Sequence, residues 1–227
     1  MNAAESSVRR RVLLAEIEAE IRQTARLTGC VTLSPAVREA MSAVPRHLFV
    51  GAHQQSIAYE NRPLPIGRGQ TISQPYIVAL MTELLALDDS ARVLEIGTGC
   101  GYQTAVLASV AGRVWTVERI AGLLQDAQDR FALLGLENVT CRHGDGFDGW
   151  PAEAPFDGII VTAAPEFIPP ALIDQLAPGG KMVLPVGAGN PGQSLRCLTK
   201  SLDGTIEIRD VLPVAFVPLR PGQTDAS

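Results

Sequence analysis

The residues able to do chemistry fall into four short stretches of the 227-residue chain. In Glu95-Ile96-Gly97-Thr98-Gly99-Cys100-Gly101-Tyr102, three glycines alternate directly after an apolar run. Glycines so placed let the backbone turn tightly and bring its amides against a ligand at the N-terminus of the next helix. Glu118 closes the following apolar run, 21 residues after Gly97, where a carboxylate can accept hydrogen bonds from both hydroxyls of a ribose. Asp145, between Gly144 and Gly146, ends a third run and can reach an adenine amino group. Ser73 stands two residues before Pro75, where by position alone a hydroxyl reads first as a helix cap. NAD, FAD and S-adenosylmethionine (AdoMet) proteins all use a glycine-rich strand-to-helix turn. The spacing separates them: a dinucleotide fingerprint reads G-x-G-x-x-G, whereas this one reads G-x-G-x-G after an acid. AdoMet has no pyrophosphate to cradle, so the tighter run suits it.

Composition removes other classes. Nineteen Lys and Arg against 24 Asp and Glu leave a net charge of −5, without a basic stripe to attract a phosphate backbone, so nucleic acid is not the expected partner. The four cysteines, at 30, 100, 141 and 197, form no CxxC pair, and no histidine ladder accompanies them. They read as small buried hydrophobes of a reducing compartment, with neither a disulfide framework nor a metal site. No apolar run approaches a membrane span, and the charged N-terminal stretch (Glu5, Arg9, Arg10, Arg11, Glu16) has no signal-peptide core, so the expected location is the cytoplasm. His47, His53 and His143 lack visible catalytic partners and read as ordinary polar residues.

Positioning these groups requires a particular order of elements. Residues 8–28 carry Leu14, Ile17 and Ile21 at helical spacing. Ser34-Pro35 opens a short helix ending near Ala43, with a hydroxyl cap and a proline at the first helical position. Residues 58–75, punctuated by Pro63, Pro65, Gly67, Gly69 and Pro75, read as a long loop, a candidate lid; Tyr76 to Leu87 is helical again. From residue 91 strands and helices alternate. Strands are expected at 92–96, 113–117, 138–142, 156–162 and 181–184, and helices to about 111, over 120–134 and over 169–176. Two further strands, 194–199 and 205–217, have no helix between them, and the residues from Arg220 read as a frayed tail. The fold class is therefore α/β: a doubly wound, mostly parallel sheet with N-terminal helices and an antiparallel C-terminal strand pair. Residues 1–90 are expected to supply the helices and substrate lid, and 91–227 the cofactor-binding core, as one structural unit.

Several stretches resemble one family, the protein-L-isoaspartate O-methyltransferases, from about Val44 to Leu219. The most specific is Leu64-Pro65-Ile66-Gly67-Arg68-Gly69-Gln70-Thr71-Ile72-Ser73-Gln74-Pro75, which is not a general methyltransferase feature. Val93–Ala108, Arg142–Trp150, Ala154–Ala164, Gly179–Gly187 and Val214–Leu219 resemble further segments of the same family. The resemblance implies a class I AdoMet-dependent fold and methylation of the free carboxylate of L-isoaspartyl residues in damaged proteins and peptides, without a metal and by a monomer. It implies Ser73 as the active-site serine. For the cofactor it implies Glu95, Gly97, Thr98, Gly99, Cys100, Gly101, Glu118, Arg119, Gly144, Asp145, Gly146 and Thr162. For the substrate it implies Pro65, Ile66, Thr71, Ile72, Ser73 and Ala163. Cys100 departs from the family's usual serine. The alternative is a related class I carboxyl methyltransferase acting on another peptide or a small molecule.

Overall fold

A computed structural model describes residues 3–189 and 192–224. Its order begins α1 (Ala3–Thr28), α2 (Pro35–Ala43), β1 (Leu64–Gly67), β2 (Gln70–Ile72) and α3 (Pro75–Leu85). It continues β3 (Arg92–Ile96), α4 (Tyr102–Ala108), β4 (Arg113–Glu118), α5 (Ala121–Leu134), β5 (Val139–His143) and β6 (Phe156–Val161). It closes with α6 (Pro170–Gln175), β7 (Leu176–Val186), β8 (Gln193–Lys200) and β9 (Ile206–Val214).

Strands β3 to β9 form one seven-stranded sheet in the order β5-β4-β3-β6-β7-β8-β9. The first five pair in parallel, whereas β8 runs antiparallel to β7 and β9 antiparallel to β8. This is the expected class, including the antiparallel ending. The order reverses between β3 and β6, and open α/β sheets bind ligands in the crevice at such a switch point.

Period-two alternation divides the central strands between two cores. Val93 of β3 joins the larger cluster with α1 to α4, while Leu94 and Ile96 join the opposite one with Trp115, Phe156 and Leu172. Trp115 and Phe156 meet edge to face at 5.6 Å, and the Arg92 guanidinium lies 4.3 Å above the indole, extending that core to its rim. The N-terminal helices are tied on by polar contacts as well: Ser34 caps α2 through the Val37 amide, and Glu83 of α3 accepts from both the amide and hydroxyl of Ser34.

Four expectations are corrected. The 58–75 stretch is not loop throughout, because β1 and β2 form a hairpin pairing Leu64 with Ile72, both buried. The Pro-Gly punctuation that suggested irregularity is absorbed at its tip, where Gly67, Arg68 and Gly69 all have positive φ. The helix after the glycine turn stops at Ala108, short of 111. Strand β7 starts at Leu176, five residues early, carrying Pro178-Gly179-Gly180 as an irregularity in its pairing with β6. The tail is pinned as far as Thr224: its carbonyl accepts the Ala121 amide, its amide donates to the Arg119 carbonyl, and the Gly222 amide donates to Asp145. The start of α5 offers unsatisfied amides, and the tail supplies an acceptor for one of them. Residues 225–227 of the expected frayed end lie outside the described residues.

Candidate active site

The glycine turn leaves β3 with φ values of +95°, +54° and +90° at Gly97, Gly99 and Gly101, a region that side chains rarely tolerate. Space matters as much as angle. A Cβ on Gly97 would fall 2.4 Å from Thr162 Oγ1, and one on Gly101 would fall 2.5 Å from the Phe131 ring. Thr162 itself is fixed at the end of β6 by donating to the carbonyls of Ile96 and Gly97. Glu118, at the end of β4, accepts the Gly99 amide at 2.9 Å and the Ile120 amide at 2.9 Å, so one carboxylate joins the turn to the start of α5.

These pieces wall a cavity of about 840 Å³ including its open mouth. Gly97, Thr98, Gly99, Cys100, Glu118, Arg119, Gly146 and Thr162 of the expected cofactor set line it, with Thr71, Ile72, Ser73 and Ala163 of the expected substrate set. Cys100 presents a buried thiol whose pKa burial pushes up. The Ser73 hydroxyl makes no hydrogen bond to the described residues, and it does not cap α3, whose N-cap is Gln74. Ile66 lies above the turn, its Cδ1 3.6 Å from where a Cβ on Gly99 would stand, while Pro65 is exposed beside it. The hairpin is held down at its tip, where Arg68 lies over Gly122 and pairs with Asp126 at 3.5 Å.

Four expected cofactor residues stand behind the wall. Gly101 packs against Phe131 and Gly144 against Arg142 and Val117. Asp145 caps a short 3-10 turn through the Phe147 amide and takes the Gly222 amide on its other oxygen. Glu95 is wholly buried on the opposite side of β3, where Oε2 accepts from the hydroxyls of Thr104 and Thr116 and Oε1 has no partner. Burial pushes its pKa up to about 8, against the two hydroxyls and with a smaller push from the Glu118 charge. The acid that precedes the glycines thus holds the turn from behind: Thr116 bonds Thr98, which does line the cavity.

Sequence reasoning missed Tyr102 and Gln103 in the first turn of α4, and Pro218, Leu219 and Arg220 after β9. The first pair was signalled by its position directly after the turn. Pro218 and Leu219 fall in the stretch that resembles the family, but nothing local tied that stretch to the cofactor: only folding brings the C-terminal segment beside Ala164, with which it exchanges backbone bonds. A second groove, about 1180 Å³ including its open mouth, adjoins the cavity and shares Thr71, Ser73, Thr162 and Val217 with it. Ser73 therefore stands between two spaces.

The residues present fit AdoMet: a glycine turn with room for close approach, and at the end of β4 the fixed Glu118 carboxylate, of a kind that accepts ribose hydroxyls. Fold and site together define a class I AdoMet-dependent methyltransferase. Residues 18–224 match the family described as Protein-L-isoaspartate(D-aspartate) O-methyltransferase. The chain belongs to that family. It is 52% identical over 210 residues to Protein-L-isoaspartate O-methyltransferase 2 of Syntrophobacter fumaroxidans, covering 92% of this chain and 85% of that one. It is 57% identical over 186 residues to Protein-L-isoaspartate O-methyltransferase of Anaeromyxobacter dehalogenans, covering 81% and 88%. Among solved structures, a protein-L-isoaspartate O-methyltransferase superposes with a TM-score of 0.80 at 29% identity, over 92% of this chain and 65% of the other. A Plasmodium falciparum structure described as an enzyme of this kind in complex with S-adenosyl-L-homocysteine shares the fold, with a TM-score of 0.73 at 24% identity over 90% and 97%.

Proposed function

We propose that this chain methylates the free carboxylate of L-isoaspartyl residues, with Ser73 orienting the acceptor. The observation that carries the reading is the unengaged Ser73 hydroxyl in the wall common to the cofactor cavity and the adjoining groove. AdoMet, when bound, supplies an electrophilic methyl carbon on a sulfonium. The backbone of Gly97 to Cys100 would hold its methionine end and Glu118 its ribose. Gly146 would face the adenine, with Asp145 bracing that wall from outside.

An ordinary carboxyl group, with a pKa of about 4, is ionised at neutral pH and needs no general base to become a nucleophile. No histidine lines the cavity among the described residues, in keeping with that economy. The protein's part is alignment and exclusion of water. Holding reactants in line contributes on the order of 7–11 kcal/mol. A single hydroxyl suits the task, since several donors would stabilise the anion and blunt its attack. The methyl ester is a better leaving group than the carboxylate, so a neighbouring amide nitrogen displaces it after release, and the succinimide hydrolyses partly to normal aspartate.

No described helix is long and apolar enough to cross a membrane. We infer a cytoplasmic monomer acting on proteins and peptides; the net charge of −5 disfavours nucleic acid as a partner. The test is transfer of labelled methyl from AdoMet to two peptides that differ only in an L-isoaspartyl or L-aspartyl linkage. Base-labile label on the isoaspartyl peptide alone is the expected result. Label on neither, with AdoMet bound, would assign a different acceptor.

A further inference from the structure

Among the described residues, the groove beside Ser73 contains one charged side chain, and it is contributed by the N-terminal helix. We propose that Glu20 makes this groove select acceptor peptides carrying a cationic group near the damaged linkage. The inference rests on the isoaspartyl-peptide reading above.

The groove runs from Ser73 and Gln74 along Tyr76 and Ile77 of α3, with Leu212 to Phe216 opposite, and its walls are mostly apolar. No lysine, arginine or histidine lines it among the described residues. Glu20, half-buried, accepts the Asn61 side-chain amide at 2.8 Å and that of Gln74 at 3.3 and 3.4 Å. Both donors are neutral, and none of the ion pairs among the described residues includes Glu20. The carboxylate is therefore held in position by neutral donors, without an ion-pair partner among the described residues. Low-dielectric walls weaken solvent screening and strengthen its pull on a cation. A lysine or arginine offers what such a groove can use, an apolar stem to lie along the wall and a charged head to meet the carboxylate. A free peptide α-ammonium has the same charge chemistry. Because Gln74 directly follows Ser73, a cation on Glu20 belongs to the segment flanking the residue being methylated.

The experiment uses N-acetylated isoaspartyl peptides with Lys, Gln or Glu at each flanking position in turn, and one set with a free N-terminus. At one or two positions the wild-type enzyme should show a KM about three- to fivefold lower for Lys than for Gln, and higher again for Glu. High salt should shrink that ratio in the wild type itself, a readout independent of any variant's folding. Glu20→Gln, which retains an amide-sized partner for Asn61 and Gln74, should bring the Lys-to-Glu ratio near one, and Glu20→Lys should invert it. Preference for the free N-terminus alone would assign the cation to the α-ammonium and overturn selection of a basic side chain. Equal KM values across the wild-type series overturn the proposal alone. So does a Glu20→Gln enzyme that turns over every peptide more slowly with the charge preference intact, which would leave Glu20 only holding Gln74. Failure to methylate any isoaspartyl peptide overturns the isoaspartyl reading and this proposal together.

Discussion

The glycine turn after β3 and the tip of the β1–β2 hairpin are both glycine-rich, both at positive φ, and both close to the same cavity, yet their glycines answer different needs. At Gly97 and Gly101 a side chain has no place to go, because Thr162 and Phe131 already occupy the space. At Gly67 and Gly69 nothing lies within 4 Å of where a Cβ would stand, so only the backbone angle calls for glycine. The turn is a packed part of the core that lines the cavity; the hairpin is a cover latched at its tip by Arg68. Close packing distinguishes the first region, and the second leads through β2 to Ser73, the hydroxyl proposed to orient the acceptor.

The strongest challenge to this contrast is Gly101→Ala. Positive φ and overpacking against Phe131 together should cost about 2–5 kcal/mol, read as a lowered urea midpoint. Adding Phe131→Leu should recover the packing part and leave the angular part; no recovery would show that space was never limiting. Ser73→Ala comes next, lowering kcat about ten- to hundredfold through lost alignment while AdoMet affinity stays near wild type. An equal loss of cofactor affinity would move Ser73 from the acceptor side to the cofactor side.

Glu95→Gln probes the support behind the turn. An unfolded glutamate ionises near 4.5 and this buried one near 8, so between those values the unfolded chain gives up a proton that the native chain keeps. Stability from this group is full below the lower value, declines as pH rises and levels off above about 8. Glutamine, neutral throughout, removes that slope. The Tm of the variant relative to wild type should therefore climb between about pH 5 and pH 8. A constant difference would mean that Glu95 is charged in the fold. The smallest effect is expected at the hairpin, where Gly69→Ala should cost about 1–2 kcal/mol, from the backbone angle alone, and Gly69→Asn less, because asparagine tolerates positive φ. A loss as large as that of Gly101→Ala would erase the distinction between the two regions.

Much was legible before folding. The order of strands and helices, the cap at Ser34, the alternating glycines and Glu118 follow from local periodicity and turn chemistry, which neighbouring residues decide among themselves. The hairpin was not, since its four- and three-residue strands are too short for a periodic signal and its prolines and glycines read as breakers. The family resemblance implies Glu95 on the cofactor, yet the structure turns its side chain away from the cavity. Which face of β3 it occupied depended on what packed against that face, and α4 with Thr104 did.

The sequence by itself determined the class of fold and pointed to the glycine turn and to Ser73, because each is carried by a contiguous stretch whose backbone demands are local. Only the tertiary structure decided what stands around them. Glu20 comes to the Ser73 groove from 53 residues away, Arg220 to the cavity mouth from the far end of the sheet, and Asp145 is engaged by the Gly222 amide. Contacts of that kind are set by how helices and sheet edges share buried area, a property of the whole chain that no single stretch of residues contains.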